Sequence, residues 1–264
     1  RPNPYTLFKE EVPLLDIPPR YNSQYKKIMP AFSHQVQMIS HVWHRRSAIC
    51  AAQMRTGKTL CMGTLMEMQG SGNYWLVGPK SALAGVQLDF QIWGIRANPT
   101  FMTYERLRKL ATDGAPTPDG IYFDEASRIK NPKALRTQAA QYVADQVRAA
   151  GGIVSLWTGT PSPKSPVDWW SLAEIACPGY LAEANTYDFT SRLAVQEIMD
   201  NPTGGTFKKI TTWLDNPAKC GLCGKVDHKD HVFDPDEKGI CRVCNAEDHM
   251  FEEHAFQASK NEVA

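Results

Sequence analysis

Ala52-Gln53-Met54-Arg55-Thr56-Gly57-Lys58-Thr59 is the stretch on which the reading of this chain turns. The apolar run Ala48-Ile49-Cys50-Ala51 enters it and Leu60-Cys61-Met62-Gly63-Thr64-Leu65-Met66 leaves it, a pattern of strand, tight turn and helix. A turn that closes in Gly-Lys-Thr at a helix start is built for phosphate. Its backbone N–H groups point into the turn, and the helix adds its positive end. In such a loop Met54, Arg55, Thr56 and Gly57 form the cradle, Lys58 reaches the β- and γ-phosphates, and the Thr59 hydroxyl holds Mg²⁺. Ala52 stands where the usual pattern begins with glycine, so the match is partial.

Outward from this loop the chain alternates. The spacing of apolar residues predicts a helix from about residue 31, then strand 48–52 and helix 58–69, strand 74–78 and helix 82–93. A short strand near 100–102 precedes helix 104–111, strand 120–124 precedes helix 133–149, and strand 153–157 precedes helix 167–176. Near-continuous apolar strands separated by helices predict an α/β fold with a parallel sheet covered on both faces. Ligands then bind beyond the carboxyl ends of the strands, where 52–59 lies. Residues 1–30 hold Pro2, Pro4, Pro13, Pro18, Pro19 and Pro30, and are expected to form an irregular arm packed through Tyr5, Phe8, Leu14 and Leu15. After residue 180 the alternation fades. A helix near 187–199 and a turn at 201–205 are expected there.

Composition sets the bounds. The chain has 264 residues, 42% hydrophobic and 22% charged, enough to bury a core. A net charge of +1 gives no global basic field, so any nucleic-acid surface must be local. No apolar run approaches the roughly 18 residues of a membrane span, and no membrane partner is expected. The seven cysteines are an odd number, four of them in two CxxC pairs, which reads as metal ligands plus free thiols in a reducing, cytoplasmic setting.

Two further motifs carry chemistry. In Tyr122-Phe123-Asp124-Glu125-Ala126-Ser127 an apolar strand ends in adjacent carboxylates, sixty-five positions after Thr59. Asp124 suits the Mg²⁺ of Mg-ATP, and Glu125 suits orienting and polarising a water. Trp157-Thr158-Gly159-Thr160-Pro161 again closes a strand, with two hydroxyls beside a glycine. By themselves these segments also read as a helix cap and a strand-ending turn.

Together, in this order, the three motifs resemble the first RecA-like domain of superfamily II helicases, nearest the Swi/Snf-type translocases and their phage and bacterial relatives. Asp124-Glu125-Ala126-Ser127-Arg128-Ile129-Lys130-Asn131-Pro132 is close to that branch's DEAH-R-I-K-N-P. Thr158-Gly159-Thr160-Pro161 followed by Trp170-Ser171-Leu172 and Pro178-Gly179 also matches, as does Thr103-Tyr104-Glu105. The resemblance covers roughly residues 31–180. It implies that Gln35 reads the adenine base, that Lys80, Ser81 and Thr103 contact the nucleic-acid backbone, and that Thr158 and Thr160 couple hydrolysis to movement. The implied partner is nucleic acid, with DNA favoured. The implied activity is an ATP-dependent DNA helicase or translocase.

The chain departs from the family's pattern at Arg55, where the family has glycine, and at Ser127, where it has histidine. The resemblance also implies a second RecA-like domain that supplies arginine fingers. No second phosphate-loop pattern follows residue 180, so the chain is expected to be half of such a motor. A competing reading is a non-motor, nucleotide-gated DNA-binding module that recruits partners. A metal-dependent nuclease lacks a second carboxylate cluster.

Cys220, Cys223, Cys241 and Cys244 form CxxC-x17-CxxC, the spacing of a zinc ribbon. Each turn aims two thiolates at one Zn²⁺, which replaces a core that so short and polar a segment cannot build. Cys50, Cys61 and Cys177 are expected to be small core residues, and Trp169 and Trp170 core packing. The expected organisation is an arm (1–30), a RecA-like ATP-binding domain (31–215), a zinc-ribbon insertion (216–248) and a linker (249–264) toward the second domain.

Overall fold

The computed structural model describes residues 12–162, 165–181, 183–201 and 204–213. They fall into two compact units that divide after residue 182.

In the first unit, a small antiparallel hairpin of β1 (Arg20–Asn22) and β2 (Lys27–Met29) precedes α1 (Ser33–Arg45). The alternating body follows: β3 (Ser47–Ala51), α2 (Lys58–Gln69), β4 (Tyr74–Val77), α3 (Lys80–Ile92), β5 (Thr100–Met102) and α4 (Tyr104–Thr112). It continues through β6 (Gly120–Asp124), a 3-10 turn (Ala126–Ile129), α5 (Leu135–Ala149), β7 (Ile153–Thr158) and α6 (Asp168–Ala176). The sheet order is β3-β7-β6-β4-β5, and every pairing is parallel.

Every residue of β4, β6 and β7 is buried, so the period-two pleat sends alternate side chains to two separate cores. Ile121 and Phe123 of β6 join Leu107, Val143, Val147, Leu172 and Ile175 on the face covered by α4, α5 and α6. Tyr122, between them in sequence, joins Ile39, Val42, Met62, Leu65, Val86 and Phe90 on the face covered by α1, α2 and α3. Burial of each such aliphatic or aromatic side chain contributes about 1.5–3 kcal/mol, so both helical layers are held mainly by this area. The α/β fold, with helices on both faces of a parallel sheet, is therefore as the sequence predicts.

Several local expectations are corrected. Tyr5 and Phe8 lie outside the described residues. Leu15 packs on the core and its N–H donates to Ser40 Oγ at 2.9 Å, but Leu14 is 64% exposed. The irregular arm contains the β1–β2 hairpin, whose three-residue strands are too short to show an apolar alternation in sequence. Cys50 and Cys61 are buried, and burial drives both thiols up, Cys61 to about 12. Cys177 is exposed, because it sits past the last core-facing turn of α6, at the bend into Pro178-Gly179. Trp169 is buried and Trp170 half-buried, in keeping with packing.

In the second unit, α7 (Thr186–Leu193) starts on Asn185, whose side chain accepts from the N–H groups of Tyr187 and Asp188. The helix stops at Leu193. Residues 194–199, expected to continue it, belong instead to strand β8 (Ala194–Asp200), which pairs with β9 (Thr206–Trp213). The helix-forming Ala194, Gln196, Glu197 and Met199 misled the periodicity. Pairing with the β-branched and aromatic residues of β9 overrides their propensity. Gly204 and Gly205, both at φ near +90°, make the turn that the sequence anticipated at 201–205.

Candidate nucleotide and nucleic-acid site

Three neighbouring strands, β3, β7 and β6, deliver the three motifs to one carboxyl edge. The register pairs Ala51 with Thr158 and Asp124 with Trp157. The loop after β3 is tied to β7 by the Ala52 N–H, which donates to Thr158 O at 3.0 Å. A side chain on Gly159 would approach Ala52 O, Gln53 Cα and Met54 N within 3.5–3.7 Å, so the Thr-Gly-Thr turn lies against the loop.

The loop itself turns through two left-handed residues, Arg55 (φ 65°) and Gly57 (φ 84°). At position 55 the backbone takes a conformation that glycine adopts freely and arginine only under strain. At Gly57 a Cβ would come within 2.2 Å of Gln35 Nε2. Lys58 Nζ lies back across the loop and donates to Ala52 O at 3.1 Å and Gln53 O at 3.2 Å. Met54 is 74% exposed beside it. Thr56 is the loop's contact with α1: its carbonyl accepts from Gln35 Nε2 at 3.1 Å and bonds His34 Nε2 at 3.0 Å. Gln35 is buried, and its Oε1 accepts from the Phe32 N–H at 3.0 Å, which closes the start of α1. The glutamine thus touches the loop.

Asp124 is 7% exposed at the end of β6. Burial, with the neighbouring Glu125 charge second, pushes its carboxyl up to about 6. A hydrogen bond from the Glu125 N–H and the Lys58 charge pull the other way. Lys58 is therefore close enough to act on Asp124. Glu125 takes a left-handed conformation (φ 49°, ψ 52°), which turns the chain out of the strand and into the 3-10 turn. Beyond that turn Lys130 Nζ meets Asp168 Oδ2 at 2.9 Å, fastening the second motif's tail to the start of α6. Thr158 is fully buried, and its Oγ1 accepts from the Thr160 N–H at 3.1 Å, while Thr160 is exposed.

Two residues with contacts at this edge carried no role in the sequence reading. Asp89 of α3 makes a side-chain hydrogen bond with Thr59, and burial raises its carboxyl. Tyr104, quoted within Thr-Tyr-Glu but given no task, donates its hydroxyl to Asp124 O at 2.7 Å. Periodicity marks Tyr104 only as a core position and Asp89 only as a helix residue, so neither contact was visible in one dimension.

Lys80 and Ser81 are exposed at the first turn of α3. Thr103 caps α4 by accepting from the Arg106 N–H at 3.3 Å. Both helices start at the carboxyl edge of the sheet, after β4 and β5. Cys220, Cys223, Cys241 and Cys244 lie outside the described residues. Among the described residues no cluster of His, Cys, Asp and Glu has metal-site geometry, and no helix is long and apolar enough to cross a membrane.

The sheet order, the two helical layers and the motif-bearing edge define a RecA-like α/β fold. No protein-family model matches the chain. Over 96 residues it is 40% identical to the Zorya protein ZorD of Escherichia coli, a stretch amounting to 36% of this chain and 8% of that protein. The SWI2/SNF2 ATPase core of Sulfolobus solfataricus, solved in complex with dsDNA, superposes over 69% of this chain and 41% of its own, with TM-score 0.54 and 18% identity. The UvsW helicase of bacteriophage T4 covers 58% of this chain and 60% of its own, with TM-score 0.45 and 12% identity. The chain thus spans under a tenth of its ZorD relative and about two-fifths of the archaeal core, and its likeness to that core is one of fold.

Proposed function

We propose that this chain is the first RecA-like domain of an ATP-dependent DNA motor, a translocase or helicase, that works against a second RecA-like domain. The observation that carries the reading is the convergence of Lys58, Asp124 and the Thr158 turn on one carboxyl edge, with Gln35 in contact with the same loop. The SWI2/SNF2 core, solved in complex with dsDNA, shares the fold.

In this reading Gln35 uses the remaining hydrogen-bonding capacity of its amide on the adenine edge. Lys58 leaves the loop carbonyls for the phosphates. Thr59 and Asp124 present hydroxyl and carboxylate oxygens, the hard donors that Mg²⁺ prefers. When bound, Mg²⁺ neutralises phosphate charge. Glu125 orients the attacking water and takes its proton. Thr158 and Thr160, bonded to each other and to the loop through Ala52, report the loop's state to whatever binds beyond the edge. Lys80, Ser81, Thr103 and the first amides of α3 and α4 grip the DNA backbone, contacts that carry no sequence information.

The test is a binding titration with unrelated duplexes. Lys80→Ala is expected to weaken binding equally on all of them, and to lower the slope of log affinity against log salt by about 0.9 per lost phosphate contact. A strong preference for one sequence, or an unchanged slope, counts against the reading.

The four paired cysteines, we further propose, hold one structural Zn²⁺, and their setting is the cytoplasm. X-ray absorption is expected to give a four-sulfur shell at about 2.3 Å. Metal-free protein at full stability, or a shell without sulfur, removes the ribbon.

A further inference from the structure

Tyr104 is the first residue of α4, directly after the Thr103 cap, and is 2% exposed. Its hydroxyl donates to the carbonyl of Asp124 at 2.7 Å, and its ring stacks on Phe123 at 6.3 Å with planes 11° apart. That carbonyl belongs to the peptide whose nitrogen is Glu125's, and Glu125 itself stands in the left-handed region. A peptide whose carbonyl is held in this way fixes where Glu125 projects. The residue that holds it is the one beside Thr103.

We infer that Tyr104 is a positioning residue that couples the Thr103 segment to Glu125, so that a DNA phosphate gripped at the start of α4 sets the orientation of the water-activating carboxylate. The inference rests on the motor reading above. It assigns to one hydrogen bond the link between the nucleic-acid surface and the hydrolytic group. Burial raises the Tyr104 phenol well above its ordinary range, so it stays a donor throughout the working pH span. A shift of α4 by a fraction of an ångström moves the hydroxyl directly, because no flexible side chain intervenes between the cap and the ring.

The test uses this chain and its Tyr104→Phe variant, which removes one oxygen and keeps the ring stacked on Phe123. Mg-ATP affinity, duplex affinity and single-turnover hydrolysis are measured with and without a random-sequence duplex. Wild type is expected to change its hydrolysis rate about fivefold or more when duplex is added. Tyr104→Phe is expected to keep both affinities within about twofold and to lose most of that response. A merely structural hydroxyl would shift thermal stability and leave the response intact; that result overturns the inference. Should the variant fold poorly, hydrogen exchange of the wild-type segment 120–129 decides instead. Duplex is expected to slow exchange at the Glu125 and Ala126 amides, and unchanged exchange overturns the coupling. Lys58-dependent ATP binding without any duplex response sinks the coupling and leaves the ATPase reading standing. Loss of ATP binding itself sinks both.

Discussion

Lys58→Ala is expected to weaken Mg-ATP binding by on the order of 10- to 150-fold, since a hydrogen bond to a charged group contributes about 1.5–3 kcal/mol. Lys58 Nζ sits on the Ala52 and Gln53 carbonyls, within electrostatic reach of Asp124, and is the only lysine of the loop. Calorimetric titration of the two proteins checks it, and an affinity within threefold of wild type removes Lys58 from the phosphate site. The binding has a pH limb as well. The Asp124 carboxyl sits at about 6, raised from 3.8 chiefly by burial. It is therefore neutral below that value and cannot offer a charged oxygen to Mg²⁺, so affinity should fall as pH drops through about 6. The sign for stability is opposite. A raised carboxyl means the folded state holds this proton more tightly than the unfolded chain. The ionised Asp124 thus costs stability above about pH 6, and the cost is relieved as pH falls from there toward 3.8.

Glu125→Gln should separate binding from turnover. The substitution keeps size and hydrogen-bonding shape and removes only the ability to take a proton. Single-turnover hydrolysis is expected to fall about 10²- to 10⁴-fold, with Mg-ATP affinity within threefold of wild type. Rapid-quench kinetics on the two proteins reads the first quantity and titration the second. Equal loss of both would make Glu125 a binding residue. Undiminished hydrolysis would send the search for the base elsewhere on the edge.

The fold was legible because its signal is local and repeated. Strand 120–124 and helix 58–69 occupy the predicted residues, since five consecutive buried positions and a Gly-Lys-Thr turn have few other readings. The edge that gathers Lys58, Asp124 and Thr158 followed from the parallel-sheet rule. What escaped was decided by partners distant in sequence. Residues 194–199 have helical composition and became a strand because β9 pairs with them. The bond from Tyr104 to Asp124 spans twenty positions, and that between Thr59 and Asp89 spans thirty. Neither pairing leaves a periodic trace. Nor does the letter at position 55 reveal that its backbone is left-handed.

That conformation reaches into the laboratory. Arg55 and Glu125 both hold left-handed backbones at which glycine is relaxed and a side chain is not, at about 1–2 kcal/mol each. A library of this chain screened for heat resistance alone should drift toward glycine at both places, because nothing in such a screen asks what the side chains do. A library screened for turnover should keep Glu125 and let Arg55 go only if its guanidinium is idle. Sequencing survivors of the two screens side by side would therefore read out, position by position, where this fold tolerates a strained residue for its chemistry and where it merely carries one.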